Sequence, residues 1–407
     1  MVPGTIYRKG YLVLFLCVVP GWTAQSDELH VLLGIDVLED QGYALLKGKQ
    51  VGLITNQTGV DSQGRSTADL LAKAPGVKLI ALFSPEHGIR GKRDAGIPIG
   101  DTIDPRLHLP VYSLYGTIQK PTPEMLNGID VLVFDMQDVG ARFYTYLTTM
   151  GMAMEASAQR GIAFMVLDRP NPLGGAIVEG QVLDARIHHM TAYYQIPVRH
   201  GLTAGEIAVW YNQTQKIGAQ LTVISLKNWK REMLWEDTGL TFVPPSPNIQ
   251  GPGAAILYAG VGMFEATNLS VGRGTETPFR LLGAPWIKGE ILAKRLNDLE
   301  LPGLMFSAET FTPTTENYVG QLCSGVRIKV MDPQAVRPVD LFAHVSCLLR
   351  ELWPKEFQPR WDEIVRVTGS SDFERLYLAN KPVGEILELF HKSAAQFMED
   401  RKPYLLY

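Results

Sequence analysis

Four short apolar runs most constrain how this chain can fold, because each stops abruptly at a cluster of polar residues. They are Val51-Gly-Leu-Ile-Thr55, Leu79-Ile-Ala-Leu-Phe83, Val131-Leu-Val-Phe134 and Phe164-Met-Val-Leu167. Each is short for a helix and lacks the polar alternation of a strand with one wet face. Each therefore reads as a strand covered on both sides. Helical patterns fall between and after them. Ser66 or Thr67 can cap a helix reaching about residue 74, helical signal returns near residues 123–126, and residues 148–160 read as a helix of small and apolar residues. A further helix near residues 205–211 and a strand at 221–226 extend the scheme. Strands alternating with helices at this spacing predict an α/β fold with a mostly parallel sheet.

Residues 242–253 crowd prolines against glycines, so no regular element is expected there and a domain junction is. Beyond it, helices at 286–299, 338–352 and 384–398 mix with a strand at 326–331, which reads as a smaller α+β domain. A chain of 407 residues makes two domains the natural expectation. Residues 1–24 read as a secretory signal peptide. Arg8 and Lys9 precede an apolar run at 11–19, which Pro20-Gly21 break before the small residues Thr23 and Ala24. An exported protein follows, periplasmic or extracellular, with no stable membrane insertion once the signal is removed. Cys17 lies in that run, but Leu16 before it is not the small residue a lipoprotein site prefers. Cys323 and Cys347 then remain, and buried thiols are expected. A net charge of −4 gives no basic field for nucleic acid.

The polar clusters at the strand ends carry the candidate chemistry: Asn56, then Glu86 and His87, then Asp135, Gln137, Asp138 and Arg142, then Asp168, Arg169 and Asn171. In a parallel sheet these ends share the edge where open α/β sheets bind ligands. Paired carboxylates there suit general acid–base work, and arginines suit an anionic group. Glu86, beside Pro85 and Phe83, is the acid candidate, and His87 orients it or acts itself. Tyr144 and Tyr146 either stack on a sugar or pack in the core. The alternative for any single aspartate is a helix cap or a structural pair with arginine. His188, His189 and His200 lack zinc-site spacing, and no dinucleotide loop, phosphate loop or serine elbow appears, so neither metal nor cofactor is expected.

Longer runs carry a resemblance. Leu53-Ile-Thr-Asn-Gln-Thr-Gly59, Phe83-Ser-Pro-Glu-His-Gly-Ile-Arg-Gly91, Phe134-Asp-Met-Gln-Asp-Val-Gly-Ala-Arg-Phe-Tyr144 and Asp168-Arg-Pro-Asn-Pro-Leu-Gly-Gly175 resemble the NamZ-type exo-β-N-acetylmuramidase family. So do Arg199-His-Gly201, Pro245-Ser-Pro-Asn248 and Glu265-Ala-Thr-Asn-Leu-Ser-Val-Gly-Arg-Gly274. The resemblance implies a Rossmann-like catalytic domain over residues 30–248, a C-terminal α+β auxiliary domain over 249–407, and an active site in the cleft between them. It implies removal of terminal N-acetylmuramic acid from the non-reducing end of peptidoglycan fragments, with Glu86 as catalytic acid. The expected catalytic set is Glu86, His87, Asp135 and Asp138. The expected substrate-binding set is Asn56, Arg90, Arg142, Tyr144, Arg169, Asn171, Asn268 and Arg273, the arginines being candidates for the lactyl carboxylate. The competing reading is an exported, non-catalytic binding protein for an anionic wall sugar.

Overall fold

We describe a computed structural model covering residues 30–86, 88–89 and 100–407. The expected signal segment, His87 and Arg90 lie outside the described residues. The first sheet contains β1 (Gln50–Thr55), β2 (Lys78–Ser84), β3 (Thr102–Ile103), β4 (Pro110–Ser113), β5 (Val131–Asp135), β6 (Ala163–Leu167) and β7 (Leu221–Ile224). Their spatial order is β3-β4-β2-β1-β5-β6-β7, and every pair is parallel except β3 with β4. The chain thus starts at β1 in the middle, moves outward through β2 and β4, and resumes at β5 on the other side of β1. Such doubly wound sheets leave a crevice outside the carboxyl ends of the strands where the winding reverses, here β1 and β5.

Side chains alternate between faces along a strand, and both faces are apolar. Val131 and Val133 join a core with Ile35 and Leu38 of α1 (Gly34–Asp40) and Leu71 of α2 (Thr67–Lys73). Leu132 and Phe134 point the other way, into a core with Met150 of α3 (Thr145–Gln159) and Ile207 of α4 (Ala204–Thr214). That second core runs on without a break into the C-terminal half. It takes in Leu257 of α5 (Pro252–Val261), and Ala284 of β8 (Leu281–Ala284) and Leu292 of α6 (Gly289–Asn297) join beyond it. With β9 (Leu304–Phe311) and β10 (Cys323–Val330), β8 forms an antiparallel sheet in the order β8-β10-β9. The same core collects Phe342 of α7 (Pro338–Leu352), Ile364 of α8 (Trp361–Thr368), Phe373 of α9 (Asp372–Leu378) and Phe390 of α10 (Val383–Asp400). The fold is therefore the expected α/β sheet with a smaller α+β part, sharing one core across the junction.

Two local expectations change. Residues 123–128 are turns, because Pro121, Pro123 and Gly128 (φ 76°) leave no room for a second helical turn. Helix α5 begins inside the proline-rich stretch, since Pro252 at the first helical position has no N–H that the helix would have needed. Cys323 and Cys347 are both free thiols, and burial pushes Cys323 up to about 11.

Candidate active site

Glu86 follows β2, and Thr145, the first residue of α3, donates its Oγ1 to Glu86 Oε2 at 2.7 Å. A cleft of about 180 Å³ opens beside this pair. Glu86, Tyr144, Thr145, Thr191 and Ser246 of the N-terminal part line it together with Tyr258, Glu265 and Arg273 of the C-terminal part. The two halves of the chain thus meet across it. An aromatic row bridges them, with ring centroids 4.7 Å apart for Tyr144–Tyr146, 6.0 Å for Tyr144–Tyr258 and 4.8 Å for Tyr258–Phe279. Burial raises all three tyrosine phenols above their ordinary range, so they are neutral hydroxyls at working pH.

Among the described residues, Arg273 is the arginine that lines this cleft. Its Nε donates to Glu265, and its guanidinium lies 5.2 Å from the Phe279 ring centroid. Burial opposes its charge, but Glu265 more than compensates, and its pKa sits above the usual arginine value. Phe279 holds a left-handed backbone (φ 62°) while fully buried. Strain of that kind persists only where the surroundings fix it.

At the reversal of the winding, the loops after β1 and β5 interlock. Asn56 Oδ1 accepts from Thr58 N (2.9 Å) and Oγ1 (2.6 Å), and Gln137 N donates to Thr58 Oγ1 at 2.9 Å. Asp138 Oδ2 accepts the Gly140 N–H at 2.6 Å. Gly140 has φ 82°, and a Cβ there would lie 2.4 Å from Asn171 Oδ1, so only glycine closes this turn. Among the described residues, three buried polar atoms here have no hydrogen-bond partner: Asn56 Nδ2, Asp138 Oδ1 and Tyr144 Oη. Of the three residues only Tyr144 lines the cleft; Asn56 and Asp138 lie behind it, and buried polar groups left unsatisfied are uncommon enough to mark this inner layer.

The other expected site residues are occupied elsewhere. Asp135 is fully buried and pairs with Arg169, whose Nε reaches Oδ1 at 2.6 Å, while Thr67 Oγ1 donates to Oδ2. Arg169 also donates to the Val60 carbonyl at 2.7 Å. Asp135 thus serves as one half of an ion pair, with no edge turned to the cleft lining. Asn171 bonds the Leu202 carbonyl (2.9 Å) and the Leu173 N–H (2.9 Å), pinning its own loop. Arg142 is buried without a carboxylate and donates to the carbonyls of Gln181 (2.9 Å), Ile196 (2.9 Å) and Val367 (2.7 Å). It ties the sheet domain to the end of α8, and burial lowers its pKa to about 9. Asn268 holds the 356–358 segment through the Glu356 carbonyl (2.8 Å) and the Gln358 N–H (2.9 Å). Asp168 caps α4, accepting from Gly205 N (2.8 Å) and Thr203 Oγ1 (2.7 Å). A larger cavity of about 500 Å³ beside α2 is lined by Arg65, Asp69 and Arg106. Its charges neutralise one another, as Arg106 with Asp69 and Arg65 with Asp61.

Thr145, Tyr258 and Phe279 line the cleft but do not stand out in the sequence. Tyr258 is one hydroxyl in an apolar helix and Phe279 looks like core; only their apposition across the junction gives them a role. The N-terminal model of exo-β-N-acetylmuramidase NamZ matches residues 51–252, and the C-terminal model matches 256–407. The chain belongs to that family. A peptidoglycan β-N-acetylmuramidase, NamZ of Bacillus subtilis (strain 168), is 45% identical over 392 residues, covering 95% of this chain and 93% of that protein. Crystal structures of two DUF1343 family proteins of Bacteroides fragilis NCTC 9343 are similar in fold. One has a TM-score of 0.86 at 38% identity and the other 0.75 at 28%, each covering 93% of this chain and 99% of its own.

Proposed function

We propose that this chain is an exo-acting β-N-acetylmuramidase that removes terminal N-acetylmuramic acid from the non-reducing end of peptidoglycan fragments, in the cleft beside Glu86. The observation that carries the site assignment is Glu86, held by Thr145 in a cleft that also contains Arg273 and an aromatic wall. Family membership supports the reaction class. Glu86 gives its proton to the glycosidic oxygen as the C1–O bond breaks, and water supplies the oxygen of the new C1 hydroxyl. Asp138 is the second carboxylate, because Asp135 is neutralised by Arg169 while Asp138 keeps an oxygen unpartnered among the described residues. Arg273 receives the lactyl carboxylate that distinguishes muramic acid from glucosamine, and the tyrosine rings cover the apolar face of the sugar.

The test is release of chromophore from an aryl β-N-acetylmuramide beside the matching N-acetylglucosaminide. Release from the muramide alone is expected; release from neither by folded protein overturns the reading. The anomer formed first, read by proton NMR, assigns the work of Asp138. Inversion means that it activates water; retention means that it either attacks C1 itself or orients the substrate acetamide. We also infer that the protein acts outside the cytoplasm, supported by the basic and apolar N-terminal segment and by a wall-sugar substrate. Cell fractionation with N-terminal sequencing tests this, and full-length cytoplasmic protein would refute it.

A further inference from the structure

The Arg199-His200-Gly201 run has no part in the reading above. His200 is fully buried, and its Nδ1 accepts the Leu202 N–H at 3.2 Å. By donor–acceptor logic the neutral ring therefore carries its proton on Nε2. Nε2 lies 3.6 Å from Asp138 Oδ2, just beyond a hydrogen bond, and has no other partner among the described residues. Asp138 is itself only 8% exposed. A buried donor and a buried carboxylate thus face each other across a short gap, and catalytic hydrogen bonds that are long in a free enzyme tighten in its complex.

The frame around His200 is fixed on both sides. Arg401 donates to the carbonyls of His200 (3.1 Å), Gly201 (2.6 Å) and Gly175 (2.8 Å). Arg199 is held by Glu179 Oε2 (2.9 Å) and the Leu173 carbonyl (2.7 Å). The remaining groups around the pair are the phenols of Tyr146, Tyr194 and Tyr258, raised by burial and to a small extent by the charge of Asp138, and the Arg231–Glu206 pair behind Gly201. We propose that His200 is a positioning residue for Asp138. Its Nε2–H closes on Oδ2 when substrate fills the cleft and, with the Gly140 N–H, holds that oxygen, so that Oδ1 is the one presented to the sugar. This rests on the assignment of Asp138 as the second carboxylate.

Three variants assayed on the aryl muramide test it, with melting measured for each. His200→Asn can keep the bond to Leu202 but has no donor at the Nε2 position. Its kcat is expected to fall on the order of 10–100-fold with KM unchanged. A carboxylate that loses a donor holds its proton more tightly, so the acidic limb of the kcat/KM profile moves to higher pH. His200→Gln, which can donate from near Nε2, is expected to recover most of the rate and restore the limb. A purely structural role would lower the melting temperature without moving the limb, and that result overturns the proposal. Should His200→Asn fail to fold, a folded His200→Gln with a large loss of kcat overturns it equally. Asp138→Asn separates the two levels. If it is inactive while His200→Asn is normal, only the role of His200 falls; if it keeps full turnover, the assignment of Asp138 falls as well.

Discussion

Arg169 and Arg273 each lead with Nε onto a carboxylate, yet they do different things. Arg169 meets Asp135 at the end of β5, with side-chain exposures of 4% and 0%. Arg273 meets Glu265 on the C-terminal wall of the cleft, with exposures of 14% and 33%. The buried pair also consumes Thr67 and the Val60 carbonyl, so all its charge is answered from within. The cleft pair rests against Phe279 beside an opening that holds Glu86. A buried ion pair whose partners are all internal fixes two loops to each other. One left at a solvent-accessible wall can exchange its partner for a ligand carboxylate.

The largest expected effect lies on the cleft side. Glu86→Gln is expected to lower kcat by about 10²–10⁴-fold with melting unchanged, since general acid catalysis carries factors of that size. A folded variant with near-normal turnover would remove Glu86 from the chemistry. Next, Arg169→Met leaves Asp135 charged and unpaired in the interior and is expected to cost roughly 3–5 kcal/mol of stability by denaturant unfolding. Turnover per folded molecule is expected to stay within a few-fold; normal stability with lost binding would erase the contrast between the two arginines. Arg273→Gln is expected to lower kcat/KM on the muramide by about 10–100-fold, the scale of a lost charge-assisted hydrogen bond. Its effect on a substrate lacking the lactyl group should be smaller, and equal losses on both would deny Arg273 the carboxylate.

The smallest effect concerns Asp168. Burial pushes its carboxyl up to about 6, against the donors from Thr203, Gly205 and Tyr407. A raised folded-state value means that the contribution to stability is complete below the unfolded pKa, near 4, and is lost as pH rises through about 6. The wild type is expected to lose a few degrees of melting temperature to this group over that window, and Asp168→Asn to flatten the slope. An unchanged slope in the variant would place the pH dependence in other groups.

The sheet was legible because both its faces are buried. Runs such as Val131-Leu-Val-Phe134 are apolar throughout, and the order of strands and helices then leaves few ways to wind. The shared edge was legible for the same reason: Asn56, Glu86, Asp138 and Arg169 follow adjacent parallel strands. What each polar residue does at that edge was not. Asp135 closes β5 and Asp138 stands three positions on in the loop that follows, and only their neighbours, Arg169 for one and Gly140 with His200 for the other, separate ion pair from candidate base. The helical signal at residues 123–126 misled because local propensity is weak beside flanking prolines.

By itself, then, the sequence determined the strands, their covered faces and the edge where chemistry collects, since hydrophobic period and chain connectivity are local properties. The tertiary structure decided which arginine reaches the cleft, that Tyr258 and Phe279 complete its wall, and that His200 stands behind Asp138. Those facts depend on which distant segments meet when one core forms across the junction, and burial and pairing of charge arise only there.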